Sequence, residues 1–236
     1  MNQANRSGGA ADAVLGKQVA SGAEALGLRL SAVQEGTLVA YVRLIQQWNE
    51  IYNLTAVRDP EAMVTLHILD SLAGAAALLR RSDNETPATL LDVGSGAGLP
   101  GIVIAAVMPD LEVLCVDSVG KKAAFIRHVG ASLALPNVEA LHARVEKVAG
   151  RRFDVIASRA FASLADFTGL TEHLLAADGV WMAMKGKPPE EELGKLSGLE
   201  FHVEPLQVPG SAAARCVAWI KPVRESVRTL PRNETL

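Results

Sequence analysis

A short apolar run followed by four closely spaced glycines has the clearest chemical meaning in this sequence. The stretch LLDVGSGAGLPG spans residues 90–101 and places glycines at positions 94, 96, 98 and 101. Glycine tolerates positive φ angles and lets a ligand approach the main chain closely. Where such a loop joins a strand to a helix, free backbone N–H groups face the ligand. The loop therefore suits a phosphate, a dinucleotide or an adenosine-bearing methyl donor.

The residues around the glycines narrow this choice. A phosphate-binding P-loop requires Gly-Lys-Ser/Thr after the turn, whereas Gly101 is followed by Ile-Val-Ile. A nicotinamide or flavin site requires GxGxxG and an acid about 20 residues later. Gly96, Gly98 and Gly101, with Asp117 after them, satisfy that pattern formally. The glycines alone therefore leave both a dinucleotide and a methyl donor open.

Asp92 favours the methyl donor. The pattern D-x-G-x-G-x-G at residues 92–98 resembles the first motif of class I S-adenosylmethionine (SAM) methyltransferases. In that resemblance the acid lies near the methionyl end of SAM, where its charge favours the donor's ammonium group. Asp117 ends the next apolar run, EVLCVD, and is placed to accept hydrogen bonds from ribose hydroxyls.

Short apolar runs alternate with helical patterns from residue 90 onward. Runs that are apolar on both faces suit strands buried inside a sheet, and their alternation with helices predicts a doubly wound α/β fold. The runs LEFHVEPLQV and ARCVAWIKP are joined by PGSAA, and so short a turn predicts an antiparallel pair. We therefore predict a Rossmann-like, mostly parallel seven-stranded sheet with an antiparallel last strand, as in class I SAM methyltransferases, preceded by a helical extension.

Four regions follow from these patterns. Residues 1–22 are predicted to be flexible or weakly helical, with disorder to about residue 10, and residues 23–86 to form the helical extension. Residues 87–222 are predicted to be the SAM-binding core, and residues 223–236 a tail. In the extension, Ser31 and Gln34 form a capping box, and Asp59-Pro60-Glu61 begins a helix that reaches about residue 79.

Composition limits the possible partners and compartments. The chain has 236 residues and a net charge of −3, so nucleic-acid binding would require a local basic patch. Cys115 and Cys216 lie in apolar runs without CxxC spacing, which is typical of buried thiols in a reducing compartment. No secretion signal is evident, and no window is expected to match the roughly 18 apolar residues of a membrane span. We expect a cytoplasmic monomer with no membrane or DNA partner.

Six segments appear in a characteristic order: NLTAVRDPEAMVTLHILDSL (53–72), DVGSGAGLPGI (92–102), DSVGKKAAFIRHV (117–129), ARVE (143–146), SRAFASL (158–164) and MKGK (184–187). Together they resemble the small-subunit rRNA guanine-N7 methyltransferase family, also called glucose-inhibited division protein B. The resemblance covers roughly residues 25–222. Many methyltransferases share the glycine loop, whereas NLTxxRDP, HILDSL and SRAFASL are more specific to this family.

The resemblance implies that SAM donates a methyl group to N7 of a single guanine in 16S rRNA, the base at position 527 in the 530 loop. N7 carries a lone pair and no proton, so no general base is required, and positioning can supply much of the rate. A nicotinamide-dependent oxidoreductase, a SAM-retaining assembly factor without activity, and methylation of another RNA site or a protein remain alternatives.

The resemblance and the motif positions also imply site residues. The SAM site is expected to contain Asp92, Gly94, Gly96, Gly98, Leu99, Asp117, Val145, Glu146 and Arg159. Arg159 is expected either to pair with the methionine carboxylate or to brace Asp154 or Asp92.

Basic residues are expected to contact the RNA. The candidates are Arg58, Lys121, Lys122, Arg144, Lys185 and Lys187. Arg144, Lys185 and Phe161 are expected to position the substrate, and Phe161 either stacks on the target guanine or enters the core. His67 and Asp70 share a helix face, but no further ligands converge there, so we predict no metal site.

Overall fold

The computed structural model describes residues 3–81, 87–159, 161 and 163–223, and side chains from residue 9 onward. The helices are α1 (Gln3–Ala25), α2 (Ala32–Tyr52), α3 (Pro60–Met63), α4 (Asp70–Arg81), α5 (Gly101–Val107), α6 (Gly120–Ser132), α7 (Leu164–Thr171) and α8 (Glu190–Leu193). The strands are β1 (Thr89–Val93), β2 (Glu112–Asp117), β3 (Val138–His142), β4 (Phe153–Ser158), β5 (Leu175–Lys185), β6 (Leu199–Leu206) and β7 (Arg215–Pro222). A π-helical segment, Val64–Leu69, joins α3 to α4.

The seven strands form one sheet in the order β3-β2-β1-β4-β5-β7-β6. Strands β1 to β5 are parallel to their neighbours among themselves, and β7 is antiparallel to both β5 and β6. The predicted seven-stranded sheet with an antiparallel last strand is confirmed. The end of the sheet where β1, β2, β4 and β5 finish is also where β7 begins, because Lys185 pairs with Cys216. We call this end the carboxyl edge.

Both faces of the sheet are covered, which explains the continuous apolar runs. Leu90 and Leu91 are adjacent in β1 and enter two different hydrophobic clusters, one on each face. The first cluster contains apolar side chains of α1, α2, α4, α5 and α6. The second contains side chains of α7 together with Leu174 and Leu193. The helical extension therefore covers only one face of the sheet.

The N-terminal segment differs from the prediction. Helix α1 begins at Gln3, so the disorder expected to about residue 10 is wrong for residues 3–10. Leu15, Val19 and Ala23 recur at helical spacing and are buried in the first cluster. The sequence pattern was weak because α1 has few large apolar side chains and one of them, Val14, is exposed. The predicted tail lies outside the described residues from position 224 onward.

The predicted helix starts in the extension are confirmed. The Ser31 side chain accepts from Gln34 N, and the Gln34 side chain accepts from Ser31 N. Asp59 caps α3 by accepting from Ala62 N at 2.7 Å. The helix that begins there ends at Arg81, slightly beyond the expected residue 79. Residues 82–86 of the expected domain boundary lie outside the described part of the chain.

One segment is more apolar than we expected. Pro60–Arg81 is long and apolar enough to cross a membrane by length and composition, contrary to the prediction that no window approaches that limit. In the structure, 78% of its most apolar window is buried inside the protein. Core helices of soluble proteins pass the same test, and here the apolar surface packs against the sheet. Cys115 and Cys216 are free and buried, as predicted.

Candidate methyl-donor and acceptor site

The glycine loop between β1 and α5 combines open and packed positions. Gly94 has a φ of 68°, and a β-carbon added there would have no atom within 4 Å. A β-carbon on Gly98 would instead lie 2.5 Å from the Ile102 side chain. The first part of the loop therefore leaves space at the carboxyl edge, whereas the later part packs against α5.

Asp92 supports this loop from beneath. Its side chain is fully buried, and Oδ2 accepts from Gly101 N at 3.0 Å at the start of α5. Burial raises the pKa of Asp92 from the usual 3.8 to about 6, although the Gly101 and Ser95 hydrogen bonds and the nearby Arg159 charge oppose this rise. Oδ1 has no hydrogen-bond partner among the described residues. The expected direct contact with the donor therefore differs from the structure, in which Asp92 exposes no surface.

Asp117 ties the loop to the next strand. Its Oδ2 accepts from Gly96 N at 2.9 Å, and its Oδ1 accepts from Val119 N at 2.8 Å. Lys122 Nζ lies 3.9 Å from Oδ2. The carboxylate thus fixes both turns that border the open space. Its expected contact with ribose stays a prediction, because only 5% of the residue is exposed.

Tyr41 brings the helical extension to the same loop, a role that the sequence analysis missed. Its hydroxyl donates to the Ala97 carbonyl inside the glycine loop. The ring is fully buried near Phe125 of α6, with the ring centroids 6.5 Å apart. In the sequence, Tyr41 stands at helical spacing from Leu38 and Ile45, which indicates only a place on the apolar face of α2. The hydroxyl on that face was the available signal for a polar contact.

The remaining predicted donor residues lie near the same edge. Leu99 is buried within the glycine loop. Val145 and Glu146 belong to a 3-10 turn after β3, in which Val145 is buried and Glu146 is exposed. Since His142 ends β3 opposite Asp117, this turn follows the strand at the carboxyl edge. The structure thus brings the predicted donor residues to one edge of the sheet, with Asp92 beneath it.

Arg159, immediately after β4, braces neither of the acids that we expected. Its Nη1 donates to Asp70 Oδ2 at 3.1 Å and to the Leu66 carbonyl at 3.2 Å. Asp154 instead accepts from Thr89 N and Thr89 Oγ1, each at 3.0 Å. Arg159 therefore connects the core to the helical extension, because both of its partners lie before β1.

Asp70 lies between two arginines from different strands. Its Oδ2 accepts from Arg159, and its Oδ1 accepts from Arg215 Nε at 2.8 Å. The Asp70 side chain is 5% exposed, whereas Arg159 and Arg215 keep 24% and 28% of theirs exposed. We call these three residues the Asp70 bracket. Arg215 was not among the sequence candidates, since it lies in no motif and is 145 residues from Asp70.

The Asp70 bracket borders a cavity of about 380 Å³ at the carboxyl edge. The cavity is lined by Leu66, His67, Asp70, Arg159, Met184, Lys185, Gly186 and Arg215. It lies on the β4–β5–β7 side of the glycine loop, because these lining residues follow β4, end β5 and begin β7. The donor-side and cation-lined spaces therefore occupy neighbouring positions along one edge.

His67 occupies the π-helical segment beside this cavity, and such segments are frequent at functional sites. Its Nε2 lies 2.8 Å from Thr55 Oγ1, and its Nδ1 is buried without a hydrogen-bond partner in the described part of the chain. Burial and the nearby Arg159 charge lower the pKa of His67, which favours the neutral ring. Within the residues described, no group of three or more His, Cys, Asp or Glu side chains could hold a metal ion.

Lys185 and Phe161 make contacts within the protein that the sequence did not predict. Lys185 Nζ lies 3.1 Å from both Glu192 carboxylate oxygens and 3.4 Å from the Phe161 carbonyl. An ammonium has three N–H donors, so these acceptors satisfy Lys185 within the protein. The Phe161 ring lies 5.5 Å from the Phe167 ring, centroid to centroid. Phe161 is half-buried against the second hydrophobic cluster, so its stacking on the target guanine stays a prediction.

The other basic candidates divide into free and occupied side chains. Arg58 donates to the Asn49 carbonyl at 3.1 Å and to Asn53 Oδ1 at 2.8 Å, so it braces the loop after α2. Lys122 is half-buried beside Asp117. Lys121, Arg144 and Lys187 are exposed. These three and Arg58, which is also exposed, are the predicted RNA contacts that remain accessible to a large partner.

Structures of known methyltransferases share this fold. A SAM-dependent methyltransferase from Aquifex aeolicus superposes with a TM-score of 0.52 at 19% identity, covering 71% of this chain and 96% of that one. The plantazolicin methyltransferase BpumL, solved in complex with SAH, gives 0.51 at 14% identity, covering 82% and 100%. At these identities the likeness establishes the class I methyltransferase fold.

Sequence relatives are much closer. The protein named Ribosomal RNA small subunit methyltransferase G in Methylibium petroleiphilum is 59% identical over 208 residues, or 87% of this chain and 94% of that protein. The protein of the same name in Polaromonas naphthalenivorans is 56% identical over 207 residues, or 86% and 93%. Residues 34–215 match the GidB family, described as rRNA small subunit methyltransferase G. This chain therefore belongs to the rRNA small subunit methyltransferase G family.

Proposed function

We propose that this chain transfers a methyl group from SAM to N7 of one guanine in 16S rRNA, the base at position 527 of the 530 loop. The observation that carries the proposal is the open backbone at Gly94 beside a cation-lined cavity at the same sheet edge. Family membership supports an rRNA substrate. Ligands of open α/β sheets bind beyond the carboxyl ends of the strands, which supports the choice of edge.

The reaction requires alignment rather than proton removal. The N7 lone pair attacks the methyl carbon of SAM, the carbon–sulfur bond breaks, and S-adenosylhomocysteine leaves. The positive charge passes from sulfur to the guanine ring as the new carbon–nitrogen bond forms. Since N7 has no proton to lose, the chain has to hold nucleophile, methyl carbon and sulfur in line. Asp70 holds the half-buried Arg159 beside the donor and the half-buried Arg215 further along the same edge, which supports a rigid site for that task.

The donor roles follow the order of elements along the sheet. Gly94, Gly96 and Gly98 shape the loop around the methionyl part and ribose of SAM, with Asp92 and Asp117 bracing that loop. Leu99, Val145 and Glu146 flank the adenosine. Arg159 pairs with the methionine carboxylate through the N–H groups that Asp70 and Leu66 leave unused.

The RNA side consists of the helical extension and the exposed cations. Lys121, Arg144 and Lys187 contact phosphates, which position the RNA without reading its sequence. We assign residues 23–86 to the extension, residues 87–222 to the SAM-binding core and residues 223–236 to a tail. The protein acts as a cytoplasmic monomer on 16S rRNA or the small subunit, without a membrane or DNA partner.

Methyl transfer tests this function directly. Labelled SAM is incubated with small subunits, and separately with stripped rRNA, from cells that lack the modification, and the digested nucleosides are identified by mass. We expect 7-methylguanosine as the single labelled product. SAM binding without labelled RNA would indicate a non-catalytic assembly factor or another substrate. Binding of a nicotinamide cofactor in place of SAM would indicate the oxidoreductase alternative.

A further inference from the structure

We propose that Arg215, held in place by Asp70, donates a hydrogen bond to O6 of the target guanine and thereby selects guanine over adenine. This inference rests on the proposed guanine-N7 methylation and adds a residue that reads the base. Its basis is the placement of Arg215 at the cation-lined cavity, where it begins β7 beside the end of β5. Arg159 and Lys185 line the same cavity and are the alternatives to be weighed.

The sheet order places Arg215 on the acceptor side. The glycine loop follows β1, and with increasing distance from it the next strands at this edge are β4, β5 and β7. Adjacent strands lie about 4.8 Å apart, so Arg159 is one strand from the loop and Arg215 is three strands from it. A guanidinium one strand away can reach the donor. One that is three strands away faces a molecule beside the donor, where the nucleophile must lie.

The hydrogen-bond inventory excludes Lys185 and leaves both arginines with spare donors. Arg159 uses only Nη1, on Asp70 and the Leu66 carbonyl, so position in the sheet rather than the number of free donors favours Arg215 over Arg159. Lys185 is satisfied by Glu192 and the Phe161 carbonyl, so it has no spare donor. Arg215 uses Nε on Asp70 and one Nη1 hydrogen on the Ala214 carbonyl. An arginine has five N–H donors, so three of those on Arg215 are not used by these contacts. Its side chain is also 28% exposed, which leaves the group accessible from the cavity.

Asp70 supplies the rigidity that base recognition needs. The 2.8 Å contact fixes Nε of Arg215, and the contact of Nη1 with the Ala214 carbonyl fixes the plane of the guanidinium. A β-carbon on Gly186 would lie 3.8 Å from Nη1, so Gly186 leaves the guanidinium unobstructed on that side. Because Asp70 is 4% exposed, water competes little for its carboxylate. Arg215 is therefore held before RNA arrives, which lowers the ordering cost of binding.

The chemistry of the purine edge then gives selectivity. Guanine presents N7 and O6 as neighbouring acceptors, whereas adenine presents N7 and an N6 amino donor. In the proposed reaction N7 faces the methyl group, so only O6 is free to accept from the protein. A guanidinium offers donors alone and would oppose the adenine amino group. Arg215 thus distinguishes two bases whose N7 atoms are both potential nucleophiles.

A substrate-by-enzyme cycle tests this assignment. Small subunits are reconstituted with 16S rRNA that carries guanine or 2-aminopurine, which lacks O6, at the target position. The ratio of kcat/KM for guanine to that for 2-aminopurine is measured for the wild type, Arg215→Met and Asp70→Asn. Arg151→Met is the matched control, because Arg151 also pairs with an acid, Glu139, but lies before β4 at the opposite edge. Dividing the ratio for each variant by the wild-type ratio cancels the difference in intrinsic N7 reactivity between the two bases.

We expect the ratio to fall at least about tenfold in Arg215→Met, the usual effect of losing one charged hydrogen bond. The SAM Kd should stay within about twofold, because Arg215 lies on the acceptor side. Asp70→Asn should lower the ratio less, because Arg215 remains but is no longer fixed. An unchanged ratio in Arg215→Met overturns the assignment.

If Arg215→Met fails to fold or to bind SAM, the kcat/KM ratio of Asp70→Asn becomes the test. A ratio equal to that of the wild type in Asp70→Asn would then overturn the assignment. Failure of the wild type to methylate the guanine-containing subunits would instead contradict the proposed function. The two failures are therefore distinguishable.

Discussion

The donor side and the acceptor side of this site are built in opposite ways. The glycine loop of the donor side lies between Asp92 and Asp117 in sequence, and these two buried carboxylates hold it by accepting backbone N–H groups. The acceptor side is assembled around Asp70, whose ion pair with Arg215 spans 145 residues and whose second ion pair links it to Arg159 beside the donor. Local backbone geometry thus shapes the donor side, and the tertiary fold assembles the acceptor side.

This difference predicts separable defects. Substitutions in the glycine loop should change SAM affinity, whereas substitutions of Asp70 and Arg215 should mainly change methyl transfer at saturating SAM. A variant that lowers SAM affinity and methyl transfer equally would weaken the distinction between a donor side and an acceptor side. The following changes test it.

The largest effect is expected from Gly94→Val. A valine side chain would fill the open space at this position and would be strained at a φ of 68°. We expect SAM affinity to fall by roughly 1,000-fold, measured by calorimetry, because the side chain would occupy the proposed donor site. Gly36→Val is the matched control, since Gly36 also has open space around its β-carbon but lies on α2. Affinity within a few-fold of the wild type would contradict a donor site at this loop.

Asp92→Asn should change how stability depends on pH. The folded pKa of Asp92 is about 6, above the usual 3.8, so the native state holds a proton that the unfolded state has lost between these values. Wild-type stability therefore falls as pH rises through this window. The stability of the wild type relative to Asp92→Asn should fall by about 2 kcal/mol between about pH 4.5 and pH 7.5. Urea unfolding at both pH values measures this, and a pH-independent difference would show that Asp92 is not desolvated as described.

Asp70→Ala tests the acceptor side. It leaves Arg159 and Arg215 without their shared acid, and lost hydrogen bonds to charged groups cost about 1.5–3 kcal/mol. We expect methyl transfer at saturating SAM to fall about 10- to 100-fold and SAM affinity to change only a few-fold. The matched control is Asp12→Ala, which breaks the exposed pair with Arg43. A loss confined to SAM affinity would show that Asp70 acts on SAM binding rather than on the acceptor.

Tyr41→Phe should have a smaller effect. It leaves the buried Ala97 carbonyl without its partner and should lower the free energy of unfolding by about 1 kcal/mol. SAM affinity should fall a few-fold, because the glycine loop loses its support from α2. Tyr52→Phe is a suitable control, since Tyr52 is partly exposed at the end of the same helix. Equal SAM affinity in both variants would show that the helical extension does not contribute to SAM binding.

The smallest effect is expected from Arg144→Ala. Arg144 is exposed and precedes the turn that holds Val145. Removing one phosphate contact should raise KM for the small subunit a few-fold. The number of counterions released on binding, measured from the salt dependence of affinity, should fall by about one. SAM affinity should not change, and single-turnover assays with calorimetry measure both quantities. Equal losses in turnover and SAM affinity would refute an RNA-side role.

The contrast between the two sides also explains what the sequence could predict. The glycine loop and the sheet were predictable because glycine spacing and alternating apolar runs are local patterns. Asp70 was noted only as a helix-face neighbour of His67, and Arg215 was missed, because their pairing depends on strand order. The pairing of Lys185 with Glu192 was not predictable for the same reason, since the fold brings these two residues together. The apolar periodicity of α1 is weak, so its buried residues could be identified only from their packing in the structure.

The most direct test of the account is to map the methyl group on small subunits from cells that lack the modification. After reaction with SAM, the 16S rRNA is cut into defined fragments, and each fragment is weighed and sequenced by mass spectrometry. We predict one 7-methylguanosine, in the 530 loop at position 527, with none formed by Gly94→Val. A methyl group at another atom or another site, or unmodified rRNA despite bound SAM, would contradict the account.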